Sequence, residues 1–175
     1  MELDKDASND DFIALQRRLA FEARLLDCEN YEAWIDLMDD DIRYIAPMPK
    51  RVFRESKNKQ SEGEFHTYIF DDTKEILQMR IKRLTSGMVW CENPKNPTRH
   101  IVSNVEVFLI DGQPEQRKVL SALSLFRSRQ NGEQKIFAAS RSDIWRIVET
   151  NWRLLRREIE FDFSVVRDSN LNILV

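Results

Sequence analysis

Histidine, cysteine and glycine are scarce in this 175-residue chain, which holds two, two and four of them. The histidines are His66 and His100, and the cysteines are Cys28 and Cys91. No Cys-x-His or Cys-x-x-His pairing brings them to the spacing of a metal cluster. With so little glycine there is no phosphate-cradling loop and no G-x-S-x-G elbow for a nucleophile. Glu92 beside Cys91 works against a reactive thiolate. No apolar run approaches the roughly 18 residues that a membrane span needs. The 27 basic and 30 acidic residues are mixed along the chain, with no block of one sign, so nothing argues for nucleic acid. Repeats and low-complexity tracts are absent. The missing charged-then-apolar leader and the two cysteines fit a reduced, cytoplasmic setting, with both thiols expected free and partly buried.

What is present suits one domain, since a chain of this length buries roughly 70% of its unfolded surface without a disulfide or a metal. Residues 1–9 read as a polar arm, and residues 10–175 as a single domain. Ser8 and Asn9 can cap a helix with Phe12, Leu15, Leu19, Ala23 and Leu26 on its apolar face. Asn30 can cap a short second helix around Tyr31, Trp34, Ile35 and Met38. Residues 41–48 read as a strand ended by Pro47 and Pro49. Residues 50–69 read as a long loop, and long loops are commonly functional. Asp71 or Asp72 is then expected to cap a third helix that carries Ile76, Leu77, Ile81 and Leu84.

From Arg99 onward the pattern is β-structure. Ile101, Val105, Val107 and Leu109 alternate with His100, Val102, Asn104, Glu106 and Phe108. A turn at Asp111–Gly112 and a hairpin signal at Asn131–Gly132 separate strands expected at 118–129, 134–148 and 151–163. In the last strand, Trp152, Leu154 and Arg156 stand opposite Leu155, Arg157 and Ile159. Helices first and hairpin-linked strands after them predict an α+β fold, with helices packed on one face of a curved antiparallel sheet. Trp34 and Trp145 read as core.

The run from Arg83 to Val105, RLTSGMVWCENPKNPTRHIVSNV, is too rich in turn formers for core and too rich in Trp, Arg and His for an idle linker. It resembles a signature of the small (β) subunits of bacterial aromatic-ring-hydroxylating dioxygenases. The matching elements are Trp90-x-Glu92–Asn93–Pro94, Thr98–Arg99–His100 and Val102–Ser103–Asn104–Val105. Further matches follow in family order: Glu22–Ala23–Arg24–Leu25–Leu26–Asp27, Tyr31, Trp34, Asp41–Ile42–Arg43–Tyr44, Pro47, Phe70–Asp71–Asp72, Arg141-x-Asp143-x-x-Arg146, Trp152–Arg153, Arg156–Arg157 and Asn170–Leu171. The chain departs from the family at Arg141–Ser142, where two arginines are common, and at its aliphatic tail Ile173–Leu174–Val175.

The resemblance implies the cone-shaped fold of nuclear transport factor two and scytalone dehydratase. It implies a non-catalytic subunit in a hexamer of three small and three large (α) subunits. The large subunit would carry a Rieske [2Fe–2S] cluster and a mononuclear iron(II). NADH or NADPH would supply electrons through a reductase, often with a ferredoxin. The residue count agrees, because a Rieske cluster takes two Cys and two His and the iron takes two His and a carboxylate. No catalytic or metal-ligating residue is therefore assigned to this chain.

The competing reading is a stand-alone cavity enzyme of the same fold, a dehydratase or isomerase, using Tyr44 and His100. It needs an acid–base pair, and no carboxylate stands at a helix or strand spacing that would orient His100 as a base. Trp90, Glu92, Asn93, Pro94, Arg99, His100 and Asn104 are the candidates for contact with the large subunit. Arg141, Arg146, Arg153, Arg156 and Arg157 are the candidates for ion pairs between small subunits, where a guanidinium can grip a carboxylate with two bonds.

Overall fold

The computed structural model describes residues 5–48, 67–86, 96–128, 132–162 and 174–175. The first helix, α1 (Asn9–Asp27), starts where its cap dictates: the Ser8 hydroxyl accepts from the Asp11 N–H at 3.1 Å. Its inward stripe is Leu15, Leu19, Glu22 and Leu26, spaced four, three and four residues apart. The short helix α2 (Tyr31–Ile35) is capped by Asn30, which accepts from the Ala33 N–H at 3.3 Å. Strands β1 (Met38–Pro47) and β2 (Tyr68–Asp72) follow, then helix α3 (Lys74–Thr85). The remaining chain forms β3 (Thr98–Leu109), β4 (Gln116–Ser128), β5 (Gln134–Val148) and β6 (Asn151–Phe161).

The six strands form one sheet in the order β2-β1-β6-β5-β4-β3. Neighbours are antiparallel except β1 and β6, which run parallel. Helix α1 lies across the inner face, and the core gathers between them around Trp34, Trp145, Leu15, Leu19, Leu125 and Ile159. Trp34 and Trp145 are fully buried, as their sequence context predicts.

Two one-residue irregularities decide which side chains face inward. In β3 the register against β4 slips between Ser103 and Glu106, with Asn104 at φ +51°. A bulge switches the faces of a strand. His100 and Val102 point inward before it, and Val105 and Val107 after it. Ile101, expected on the face of Val107, is instead 47% exposed. In β6 the pairing passes from Trp145–Leu154 to Ile144–Arg156, which leaves Leu155 as the extra residue. Trp152 and Leu154 face inward before it. Arg157, Ile159 and Phe161 do so after it, and Arg156 is turned out.

Three other expectations change. Residues 50–66 of the expected loop lie outside the described residues, but Tyr68 and Ile69, also expected in it, begin the strand Tyr68–Asp72. Asp71 and Asp72 do not cap α3; they pair with Arg43 at 2.8 Å and with Arg80, and Thr73 holds the cap position. Cys28 is exposed, not partly buried.

As the sheet's edge strand, β3 presents unpaired backbone groups that invite association. The chain blunts this edge itself. The Ala7 N–H donates to the Val107 carbonyl at 3.0 Å, the Leu109 N–H to the Lys5 carbonyl at 2.8 Å, and Asp27 Oδ1 accepts from the His100 N–H at 2.9 Å.

Candidate functional site

Under α1, the inner face of the sheet holds charge where a core would ordinarily be apolar. Glu22 reaches down from the helix, Asp143 and Arg141 up from β5, and Arg157 from β6; all four are 3% exposed or less. Arg157 sits between the carboxylates. Its Nε and Nη2 donate to Asp143 at 2.9 and 2.7 Å, a two-bond fork. Nη2 also donates to Glu22 Oε2 at 2.9 Å, and Nη1 donates to Glu22 Oε1 and to the Val175 carbonyl. The guanidinium thus makes five hydrogen bonds, equal to its complement of N–H donors.

Glu22 accepts further from the Trp34 indole at 3.2 Å, and Arg141 Nη1 stands 3.8 Å from it. Two carboxylates therefore face two guanidiniums in a buried interior, and their charges cancel. Burial pushes the Glu22 carboxyl up, but the charge and hydrogen bonds of Arg157, with Arg141 and Trp34, outweigh it and hold the group at about 2. Burial works against the Arg157 cation too, yet Asp143 and Glu22 raise it well above its ordinary value. For Arg141, burial and the neighbouring Arg157 charge act together to lower it.

The Glu22 carboxyl binds its proton less readily in the folded chain than in the unfolded one. Its contribution to stability is complete above the unfolded value of 4.5 and is lost as pH falls toward about 2. Acid titration of the unfolding free energy is expected to show a loss on the order of 3 kcal/mol across that window. Glu22→Gln, already uncharged, is expected to flatten this part of the profile; an unchanged profile in that variant would mean that Glu22 is not the group responsible.

Tyr44 lies beside this network. Its ring stacks on Phe70 at 5.6 Å and meets Trp34 edge-on at 6.2 Å. Its hydroxyl bonds to the Val175 carbonyl and accepts from the Val175 N–H at 2.9 Å. Burial raises the phenol, with the Arg157 charge opposing.

A second cluster joins the C-terminal end of α1 to the start of β3. Asp27 Oδ1 faces His100 Nδ1 at 2.7 Å, and Arg99 Nη1 donates to Asp27 Oδ2 at 2.9 Å. His100 Nε2 faces the Leu174 carbonyl at 2.9 Å. Asp27 is thus the carboxylate partner of His100 that local spacing does not reveal, since 73 residues separate them. A groove of about 410 Å³ runs from this cluster between α1 and β3, past Phe12, Leu19, Ala23 and Val102.

The sequence-derived candidates are distributed unevenly. Trp90, Glu92, Asn93 and Pro94 lie outside the described residues. Arg99 is at the surface, with 69% of its side chain exposed, and Asn104 is exposed at the β3 bulge. His100 is turned inward. Among the five arginines, Arg141 and Arg157 are buried and paired within the chain. The expected pairing with a neighbouring subunit is replaced for these two by the internal network, because the Leu155 bulge directs Arg157 into the core. Arg146 pairs with Asp39 at 3.0 Å through Nε, Arg156 with Glu158 at 3.2 Å, and Arg153 is half-buried.

Glu22 and Asp143 are the functional-site residues that sequence reasoning overlooks. Glu22 left a signal: a carboxylate in register with Leu15, Leu19 and Leu26 on an apolar helix stripe. Among the described residues, Glu22 and Asp143 are committed to Arg157, and Asp27 and both ring nitrogens of His100 already have partners, so these groups form no free acid–base pair of the kind an isomerase or dehydratase needs.

Residues 21–168 match a family model described as "Ring hydroxylating beta subunit". The chain is 34% identical over 156 residues to the biphenyl 2,3-dioxygenase subunit beta of Rhodococcus jostii (strain RHA1), covering 87% of this chain and 82% of that one. It superposes on a structure of naphthalene 1,2-dioxygenase with indole bound in the active site, with a TM-score of 0.86 at 20% identity, covering 98% of this chain and 90% of that one. A Novosphingobium aromaticivorans structure assigned to scytalone dehydratase shares the fold with a TM-score of 0.64 at 15% identity, covering 87% and 85% of the two chains.

Proposed function

The chain belongs to the family of ring-hydroxylating dioxygenase beta subunits, and from that premise we propose how it serves its oxygenase. It is the small subunit of an oxidoreductase complex. The large subunit holds the Rieske cluster and the mononuclear iron, and three chains of each kind assemble into a hexamer in the cytoplasm. Electrons arrive from NADH or NADPH through a reductase, with or without a ferredoxin. The substrate is an aromatic hydrocarbon of biphenyl-like or polycyclic type, dihydroxylated in aromatic catabolism; the 34% identity to a biphenyl dioxygenase subunit supports this class.

The single observation that carries the supporting role is the neutralised interior. The cavity that the cone fold leaves under its first helix is filled here by Glu22, Asp143, Arg141 and Arg157, with Arg157 bonded to both carboxylates and Arg141 3.8 Å from Glu22. The residues present do not fit either iron centre. The chain has two histidines, and both ring nitrogens of His100 are already taken by Asp27 and Leu174. No helix among the described residues is long and apolar enough to cross a membrane.

Docking on the large subunit is assigned to the Trp90–His100 run together with Asn104, the inward-turned His100 tying the run to Asp27 rather than meeting the partner. Pro94 and Pro97 limit the chain entropy lost on docking, Trp90 offers a large apolar anchor, and Arg99 keeps its guanidinium exposed. Truncating an anchor of this kind costs about 2–4 kcal/mol of binding. The Arg99 side chain is exposed, and Asp27 keeps its bonds to the His100 N–H and ring without it, so loss of the guanidinium is expected to spare the fold. Trp90→Ala and Arg99→Ala are therefore expected to weaken assembly and lower oxygenase activity together, with an unchanged circular dichroism spectrum of the isolated small subunit. Size-exclusion chromatography with the large subunit reads the result, and full assembly of both variants removes the docking role.

A further inference from the structure

The end of the described chain is held as a ligand would be. Leu174 and Val175 are 5% and 0% exposed. Their backbone meets groups from three separate strands. His100 on β3 faces the Leu174 carbonyl, Arg157 Nη1 on β6 donates to the Val175 carbonyl at 3.2 Å, and Tyr44 on β1 bonds both the carbonyl and the N–H of Val175. Each of these groups is also fixed by partners other than the tail. Asp27 holds His100, Asp143 and Glu22 hold Arg157, and Phe70 and Trp34 hold the Tyr44 ring. Donors that are positioned in advance, around an apolar volume, are the ordinary makings of a binding site.

We propose that His100, Tyr44 and Arg157 form a peptide-backbone binding site at the inner mouth of the cone. Leu174–Val175 fills it in cis, and a short extended peptide with an apolar end is the class of ligand it takes in trans. The chemistry recognises two successive main-chain oxygens and one N–H, with burial for two aliphatic side chains. In β2-β1-β6-β5-β4-β3 order, β3 is the far edge and β1 the second strand, so the tail ties opposite sides of the curved sheet together.

The first test uses the full chain. Native-state hydrogen exchange is expected to show the Val175 amide protected, and Tyr44→Phe, which keeps the ring and removes the acceptor hydroxyl, to accelerate its exchange by about tenfold. The second displaces the tail with Val175→Asp, which sets a carboxylate into an interior already holding Glu22. That variant is expected to bind the tetrapeptide Asn-Ile-Leu-Val saturably, read by fluorescence of Trp34 near Tyr44, while the unaltered chain does not. Adding His100→Gln to the displaced variant is expected to weaken the peptide by about tenfold. A Val175 amide that exchanges as fast as in a free peptide overturns the proposal. So does a folded Val175→Asp chain that ignores the peptide, or equal binding by both chains. If Val175→Asp does not fold, the exchange experiment decides alone.

Discussion

Arg157→Leu is expected to lower the unfolding free energy by about 3–5 kcal/mol, the penalty for breaking a buried ion pair from one side. The side chain is fully buried, and leucine in its place leaves Glu22 and Asp143 without their shared cation. For a chain of this length, each kcal/mol moves the melting temperature by roughly 2–4 °C, so the loss is on the order of 10 °C. The cause is the orphaned carboxylates rather than lost packing, and a second variant separates the two. Replacing Glu22, Asp143, Arg141 and Arg157 together by apolar residues of similar volume removes the charges along with their partners. Such replacements are neutral or stabilising in other buried networks. A quadruple variant that is more stable than Arg157→Leu supports the electrostatic account; one that is less stable transfers the effect to shape. Chemical denaturation of the three proteins measures both.

Trp34→Ala is expected to cost about 3–5 kcal/mol, the range for emptying a buried aromatic site. The fully buried ring meets Tyr44 edge-on, and its Nε1–H donates to Glu22. Trp34→Phe keeps an aromatic ring and deletes that donor. It is expected to cost about 1–3 kcal/mol, because Glu22 retains Arg157 and loses one bond. Equal losses in the two variants would show that the hydrogen bond, not the volume, dominates. Thermal melts with parallel denaturant titrations make the comparison.

Much of this architecture is readable before the fold is known. Ser8 and Asn30 are capping residues by chemistry, and the helices begin where they stand. Gly112 and Gly132 take positive φ at the expected turns between strands. The family stretches around Glu22, Asp143 and Arg157 are also visible in sequence, but their meeting is not. Arg157 and Glu22 lie 135 residues apart, and no local spacing encodes that contact.

The errors trace to single-residue events. A period of two assigns faces correctly until a bulge shifts it, and Asn104 and Leu155 each do so. The second shift sends Arg157 inward and Arg156 outward, which reverses the reading of a basic strand face as one surface. Asp71 and Asp72 resemble helix caps because a helix follows directly, whereas strand pairing with β1 claims them first. Tertiary pairing overrides local preference at such boundaries.

The measurement closest to the central claim is reconstitution from separately purified subunits, with iron and aromatic dihydroxylation assayed for each subunit and for the mixture. The account predicts no stoichiometric iron and no turnover for this chain alone, iron with the large subunit, and full activity only in the complex. Tightly bound iron or turnover in the isolated small subunit would contradict it, as would a large subunit fully active without this chain.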